Sequence, residues 1–255
     1  MNGLDLHLLE LCNHALASSR GLFEMALLLC GPLPLVGCVV VLLALWWTDL
    51  EGGRSWRGRL LAGGAAPESP GLRISRRRCV SVAQGVAAAF IGARLVAYAV
   101  DGSRPLVQES LRIPIEKEQW DGIVGGMLGF GAFPSDHAAL FFALAVGLFA
   151  WGARLGWAGL VGAACLSFVR IGVGFHYPSD MLAGALMGAG AGLAAWQVER
   201  RPARLLDRVV DGAERHPAIF YPSLFVVALD FTQHFKLVFR GVFFFLLGLL
   251  GGPSD

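Results

Sequence analysis

Long apolar runs separated by short polar segments dominate the pattern of this chain. Each run is close to the roughly 20 residues that an α-helix needs to cross a bilayer. The first run has no charged residue and ends in Trp46-Trp47, a pair typical of the membrane–water interface. The runs lie at residues 25–48, 80–100, 138–152, 157–175 and 181–198. The pattern predicts five transmembrane helices joined by loops.

The two ends of the chain are less regular. Residues 4–19 mix leucines with polar residues, which is typical of an amphipathic helix lying at the interface. Residues 217–250 fit either one span with a short interfacial helix or a broken hairpin, because Asp230, His234, Lys236 and Arg240 interrupt them. The sequence thus predicts an all-α, polytopic membrane helical bundle with five or six transmembrane helices and an N-terminal amphipathic helix.

The composition indicates that the lipid bilayer, and not water, surrounds most of this chain. Of its 255 residues, 55 % are apolar and 16 % are charged, and the mean hydropathy is +0.60. This is too apolar for a soluble globular domain, so we expect the lipid bilayer as the partner and no nucleic acid. The oligomeric state is left open.

Positive charge indicates the orientation. Three polar segments together hold 13 of the 21 Lys and Arg residues, and they alternate with the five spans. They are the 49–79 loop, the 153–156 turn and the 199–215 segment. Because cytoplasmic loops retain Lys and Arg, these segments are predicted to be cytoplasmic and the other loops to face outwards. We divide the chain into a membrane domain, residues 1–198, and residues 199–255, a cytoplasmic basic segment followed by an aromatic-rich span or hairpin.

Three segments on the predicted outer face carry the candidate chemistry. They are Arg104-Pro105, the Pro-Ser-Asp-His segment 134–137, and Arg170 with the segment 174–180. An arginine at membrane depth costs about 2.5–3.5 kcal/mol on insertion scales, so Arg170 needs a compensating anion. Pro134 and Pro178 are each placed to open a helix, and the free N–H groups of a helix start attract phosphate. The pattern indicates a phosphate-binding site.

Two histidines in these segments suggest phosphoryl transfer. His176 and Asp180 are four positions apart, so the carboxylate can hold one ring nitrogen and leave the other to attack phosphorus. His137 would protonate the leaving oxygen and later deprotonate water. The cysteines form no Cys-x-x-Cys pair and no zinc-like cluster with histidine. We therefore expect no metal and no cofactor.

The same three segments resemble the signature motifs of the type 2 phosphatidic acid phosphatase superfamily. The form Phe-Pro-Ser-Asp-His, with Asp136 where many members have Gly, is more similar to the bacterial undecaprenyl-diphosphate phosphatases. The resemblance spans about residues 5–198. It implies that His176 is the nucleophile, Asp180 its partner and His137 the acid/base. It also implies a substrate-phosphate-binding set, in which we place Arg104, Ser135, Arg170, Arg94 and Asp136.

One departure from the family pattern concerns the first motif. The family usually has a lysine seven positions before the first-motif arginine, and this chain has Ala97 there. Arg94, one helical turn deeper, and Lys117 in the following loop are alternative replacements, and a site without a replacement is the third possibility.

Several of these residues also have purely structural interpretations. Ser135 and Asp136 can act as helix caps, and His176 with Asp180 can be an interfacial pair. Asp230 and His234 fit a packing role. Gly184, Gly188 and Gly192 are typical of close helix packing.

The resemblance implies a metal-independent phosphatase of the bacterial inner membrane, with its site facing the periplasm or exterior. The expected reaction converts undecaprenyl diphosphate to the monophosphate through a phosphohistidine intermediate. A phosphatidic acid or phosphatidylglycerol phosphate phosphatase, or a lipid phosphotransferase, are alternatives. A non-catalytic lipid-phosphate binding or transport protein is an alternative of another class.

Overall fold

A computed structural model describes residues 3–50, 69–100, 102–127, 131–201 and 204–233. These residues form helices and no strand, in agreement with the predicted all-α fold. The helices are α1 (Gly3–Leu16), α2 (Arg20–Cys30), α3 (Leu33–Trp46), α4 (Pro70–Ala99), α5 (Pro105–Gln108), α6 (Lys117–Met127), α7 (Asp136–Leu148), α8 (Ala153–Gly172), α9 (Pro178–Glu199), α10 (Arg204–Arg215) and α11 (Pro217–Thr232).

The centre of the molecule is α7, which packs against α4, α8 and α9. Most of its residues are buried, in contrast to the half-exposed helices around it. Close contact with α9 depends on a glycine row: a Cβ atom at Gly184 would lie 2.3 Å from the Ser135 carbonyl oxygen, and one at Gly188 only 2.1 Å from that of Ala139. The prediction that these glycines serve close helix packing is confirmed.

The outer surface of the bundle is apolar. Large hydrophobic side chains are exposed on α4, α8 and α9, among them Leu95, Val161, Leu182, Leu186 and Leu193. A soluble monomer rarely exposes a continuous apolar surface of this kind, whereas lipid tails would cover it.

The number of spans is only partly supported. Three helices, α4, α8 and α9, are long and apolar enough to cross a membrane, and α2 with α3 makes a fourth if the bent pair counts as one span. The apolar helix Asp136–Trp151, which includes a 3₁₀ turn at its end, is shorter than a typical span. Five or six transmembrane helices therefore remain a prediction.

The first predicted span is not one straight helix. The chain bends by 51° between α2 and α3. Pro32 lies at this break and Pro34 follows in the first turn of α3. Proline has no N–H to donate and its ring clashes with the preceding turn, so a continuous helix over Met25–Thr48 is disfavoured. Our prediction overlooked these prolines because the run carries no charge.

The predicted 49–79 loop is also wrong over its last ten residues, 70–79, which are helical. Helix α4 begins at Pro70, with the Ser69 hydroxyl accepting from the Leu72 N–H as an N-cap. Its first three turns carry arginines that face the acidic side of α10: Arg73 Nη2 lies 2.6 Å from Asp211, and Arg77 pairs with Asp207. Segment 199–215 is therefore packed on the bundle. Arg54, Arg57 and Arg59 lie outside the described residues.

The terminal predictions have mixed outcomes. Helix α1 packs along α8, where the Asn13 side chain donates to the Gly172 carbonyl at 2.9 Å. An interfacial amphipathic role for α1 remains a prediction, although Leu4 and Leu11 are exposed. Within 217–250 the structure describes α11, which buries Asp230. His234, Lys236 and Arg240 lie outside the described residues, so the choice between span and hairpin stays open.

Candidate active site

The candidate site lies where α8 ends and α9 begins. After Gly172 the chain turns sharply, and Gly174 adopts φ +88°, a conformation that side-chain-bearing L-residues rarely adopt. A Cβ atom there would also lie 2.2 Å from Leu111. The turn carries His176 back over the end of α8, beside Arg170, and Pro178 then starts α9.

The hydrogen bonds of His176 define its reactive nitrogen. The ring is 2 % exposed, and its Nδ1–H donates to the Ala132 carbonyl at 3.0 Å. A carbonyl oxygen can only accept, so the hydrogen is on Nδ1 and the lone pair of the neutral ring is on Nε2. Nε2 lies 3.4 Å from Nη1 of Arg104. The ring therefore presents a potential nucleophile towards a guanidinium.

Asp180 does not make the contact that its spacing predicts. Its Oδ2 accepts the Tyr177 N–H at 2.9 Å and lies 3.8 Å from Nδ1 of His176, too far for a hydrogen bond. The hydrogen bond to Nδ1 that we predicted for the Asp180 carboxylate is instead made by the Ala132 carbonyl. Asp180 instead closes the first turn of α9 and puts a negative charge next to the ring.

Arg104 and Arg170 frame the histidine with buried positive charge. Arg104 Nη1 donates to the Phe175 carbonyl at 2.9 Å, and Arg170 Nη1 donates to the Cys30 carbonyl at 3.0 Å. In each arginine Nε is buried without a hydrogen-bond partner in the described part of the chain. A buried donor without an acceptor is unfavourable, so an anion that occupied this place would satisfy both.

Asp136, Arg94 and His137 form a connected group on the other side of the site. Asp136 Oδ1 lies 2.6 Å from Nδ1 of His137, and Oδ2 lies 2.7 Å from Nε of Arg94. Asp136 Oδ1 also accepts the His137 backbone N–H, which is a capping contact. Both oxygens of the carboxylate thus already contact donor groups of this chain. The place of Asp136 in the phosphate-binding set stays a prediction.

The remaining candidates differ in position. Ser135 is buried and caps α7, its hydroxyl accepting from the Ala138 N–H at 3.3 Å. The hydroxyl hydrogen is still available to a ligand, so both interpretations of Ser135 stay open. Lys117 begins α6 and is exposed.

Electrostatic interactions join these groups into one site. Burial, together with the charges of Arg170 and Arg104, lowers the pKa of His176, which lies in the connection between α8 and α9; Asp180 opposes this shift. Arg104 also interacts with Arg94, Arg170, Asp136 and Asp180. Three arginines against two carboxylates leave a positive site when the histidines are neutral. Such a site attracts an anionic group.

Sequence reasoning missed the backbone partners. The carbonyl groups of Ala132 and Cys30 hold His176 and Arg170, and nothing in a side-chain motif marks a carbonyl. It also missed Asn13, although a polar residue among the apolar positions of α1 was a signal for a buried contact. Within the described ranges no group of three or more His, Cys, Asp or Glu residues could hold a metal ion. Metal independence nevertheless stays a prediction.

Comparison with known proteins agrees with this arrangement. Residues 78–204 match the PAP2 superfamily. The chain is also 46 % identical over 57 residues to the "Bacitracin transport permease protein BcrC" of Bacillus licheniformis, a match that covers 22 % of this chain and 28 % of that relative. No solved structure matches the chain significantly. The matched region contains every site residue from Arg94 to Asp180, and the chain therefore belongs, through residues 78–204, to the PAP2 superfamily.

Proposed function

We propose that this protein is a membrane phosphatase that removes phosphate from a lipid-linked phosphate or diphosphate, with undecaprenyl diphosphate as the preferred substrate. One observation carries the proposal: His176 Nε2, which holds the lone pair, lies 3.4 Å from Nη1 of Arg104, and the buried Nε donors of Arg104 and Arg170 have no hydrogen-bond partner among the described residues. A phosphoryl group has acceptor oxygens for these Nε–H donors and an electrophilic phosphorus for the histidine nitrogen to attack.

In the first step, His176 Nε2 attacks the terminal phosphorus. A P–N bond forms and the P–O bond to the leaving group breaks, while His137 donates a proton to the leaving oxygen. For a lipid diphosphate the leaving group is the lipid monophosphate. Arg104 and Arg170 stabilise the negative charge on the oxygens of the transferring phosphoryl group.

In the second step, water resolves the phosphohistidine. His137, now neutral, accepts a proton from the water as its oxygen attacks phosphorus, and the P–N bond breaks. Inorganic phosphate leaves and both histidines return to their starting states. Asp180, 3.8 Å from Nδ1, favours the positive charge that the His176 ring carries in the intermediate.

A groove beside the site supports a lipid substrate. A cavity of about 290 Å³ lies between α3, α7 and α8, lined by apolar residues that include Phe141, Leu144 and Leu166. His137 lies one helical turn beyond Phe141, and Arg170 one turn beyond Leu166. The groove therefore leads towards the site along two helices, which suits a substrate with an apolar tail and a phosphate head.

The proposed location is the bacterial inner membrane with the site facing the periplasm or exterior. The arginine-rich end of α4 contacts the 3₁₀ turn that follows α7, where Arg78 Nη1 donates to the Ala150 carbonyl at 2.7 Å. Arg94 and Asp136 pair at the other ends of these two helices. If the arginine-rich end is cytoplasmic, as positive loops predict, then the site is outside.

The direct experiment is phosphate release by purified protein from a panel of lipid phosphates and diphosphates, with a chelator present. We expect undecaprenyl diphosphate to be the best substrate and His176→Ala to lower the rate at least 1,000-fold, because the nucleophile is lost. Asp207→Ala, which removes a carboxylate paired to Arg77 far from the site, is the control and should retain activity.

The name of the Bacillus licheniformis relative includes a transport function, so transport of a lipid phosphate is the second candidate. The same assay separates the two. Wild-type protein that binds or moves the lipid diphosphate across a vesicle membrane, but never releases phosphate, would refute the phosphatase.

A further inference from the structure

Asp136 is held from both sides in a way that the general phosphatase chemistry does not require. Its Oδ1 lies 2.6 Å from Nδ1 of His137 and its Oδ2 lies 2.7 Å from Nε of Arg94. The carboxylate and the imidazole are mostly buried, with 14 % and 7 % of their side chains exposed. Buried ionic contacts this short restrict the rotation of all three side chains.

The contact with Asp136 determines which nitrogen of His137 can act on a substrate. An ionised carboxylate only accepts hydrogen bonds, so Nδ1 of His137 carries a hydrogen. Proton transfer to a leaving group is then confined to Nε2. A carboxylate that fixes the tautomer and orientation of a histidine in this way increases the fraction of molecules ready for proton transfer.

A carboxylate next to a phosphate site also has an unfavourable effect, since it repels the substrate. Arg94 offsets that charge from α4, through an ion pair that spans 42 positions of sequence. The Arg94 side chain as a whole is 33 % exposed, and it is the Nε of this side chain that lies 2.7 Å from Asp136. Ala97, where the related motif has lysine, leaves no other cation at this position.

We propose that Asp136 is a positioning residue for His137 and that Arg94 is the counter-ion of Asp136 and not a phosphate ligand. The inference rests on the proposed function, because it assigns His137 as the proton donor of that reaction. It gives the Asp of the Phe-Pro-Ser-Asp-His segment a role, and it assigns Arg94 a different task from the missing lysine.

The test compares two substrates with different leaving groups. A lipid monophosphate leaves as an alkoxide and needs a proton, whereas p-nitrophenyl phosphate leaves as a stable phenolate and does not. Asp136→Asn should lower the first-turnover rate of leaving-group release on the order of 100-fold for the lipid monophosphate and less than fivefold for p-nitrophenyl phosphate, with little change in KM for either. This release precedes the second step, in which His137 is the base for both substrates. Asp207→Asn, the same substitution at an ion pair on α10, is the matched control and should leave both unchanged.

Arg94 is tested through a double-mutant cycle. Because Arg94 acts through Asp136, Arg94→Gln should lower lipid monophosphate turnover in the wild-type background and add less than twofold in the Asp136→Asn background. Arg94→Lys, which keeps the charge, should retain most of the activity. The thermal midpoint of each variant in detergent separates loss of positioning from loss of fold.

Three results would overturn the inference: equal losses on the two substrates, a KM increase that dominates, or Arg94 and Asp136 effects that multiply independently. Independent effects accompanied by a KM increase in Arg94→Gln would make Arg94 a phosphate ligand. Wild-type protein that releases phosphate from neither substrate would instead contradict the proposed function, so the two failures are distinguishable.

Discussion

In the proposed mechanism His176 acts as a nucleophile only when its ring is neutral, and its surroundings favour that state. Burial of the ring, together with the nearby charges of Arg170 and Arg104, outweighs the opposing interaction with Asp180, so the pKa of His176 is lowered. A lowered pKa means that the neutral ring persists to a lower pH than in an ordinary histidine. Substrate phosphate, once bound, would add negative charge and stabilise the positive ring of the intermediate.

The titration of His176 can be measured directly. We expect its midpoint, followed by NMR in protein labelled at histidine and assigned by comparison with His176→Gln, to lie below the ordinary value of about 6.5. Arg170→Gln removes one opposing positive charge and should move the midpoint upwards. A midpoint above 6.5 in the substrate-free wild type would show that Asp180 outweighs burial and both arginines.

At the scale of residues, the sequence predicted which side chains form the candidate site. It predicted only some of their hydrogen-bond and ion-pair partners. Arg104, His176 and Arg170 lie together, as expected for segments at the same ends of their helices. The pair of Arg94 and Asp136 depends on how α4 packs on α7, which no local pattern records. The partner of His176 Nδ1 is a carbonyl, and every residue has one, so the sequence offers no signal for Ala132.

At the scale of elements, the proposed function assigns the substrate tail to the apolar groove between α3, α7 and α8, so side chains that line this groove should affect substrate choice. Gly162 of α8 lines this groove, and a Cβ atom there would have no neighbour within 4 Å. A larger side chain at this position therefore fills the groove without distorting the helices. Gly190 of α9 has equally open surroundings but is not among the groove residues.

Gly162→Leu should discriminate between substrates by their tails. We expect KM for a long-chain polyprenyl diphosphate to rise about tenfold, which corresponds to the loss of roughly two buried methylene groups. Turnover of p-nitrophenyl phosphate, which has no tail, should change less than twofold, and Gly190→Leu should affect neither substrate. Unchanged KM for the long-chain lipid would show that the tail lies elsewhere.

Element boundaries followed from local signals where the chain carries them. Ser69-Pro70 marks the start of α4 and Ser135 the start of α7 by ordinary capping. Because Arg73 and Arg77 are charged, we predicted that they lie in a loop. In the structure they lie in α4 and pair with Asp211 and Asp207 of α10. Pairing between elements far apart in sequence decided that boundary.

At the scale of the whole molecule, two ends of one bundle have different chemistry. One end holds arginines paired with α10, and Trp151 donates there to the Ser75 hydroxyl at 2.8 Å. The other end holds the site, which α1 supports from outside: Asp5 accepts the Ser179 N–H at 3.0 Å, at the start of α9. The centre between the two ends is mostly apolar and closely packed.

The helices that carry the candidate site lie within the PAP2 region. Residues 78–204 contain α7, α8, α9 and most of α4, which are the helices that carry the site. Residues outside the matched region still contact it, since α1 packs on α8 and α10 packs on α4. The predicted domain boundary at residue 198 therefore stays a prediction. Helices on both sides of this boundary are in contact.

The central claim is a covalent phosphohistidine at His176, and trapping it is the most direct test. Protein mixed with terminally ³²P-labelled undecaprenyl diphosphate and quenched within milliseconds should carry label that is lost in acid and kept in base, as a phosphoramidate bond requires. Peptide mapping should place the label on His176, and His176→Ala should carry none. Rapid phosphate release with no labelled protein at any time, or equal labelling of His176→Ala, would contradict the account.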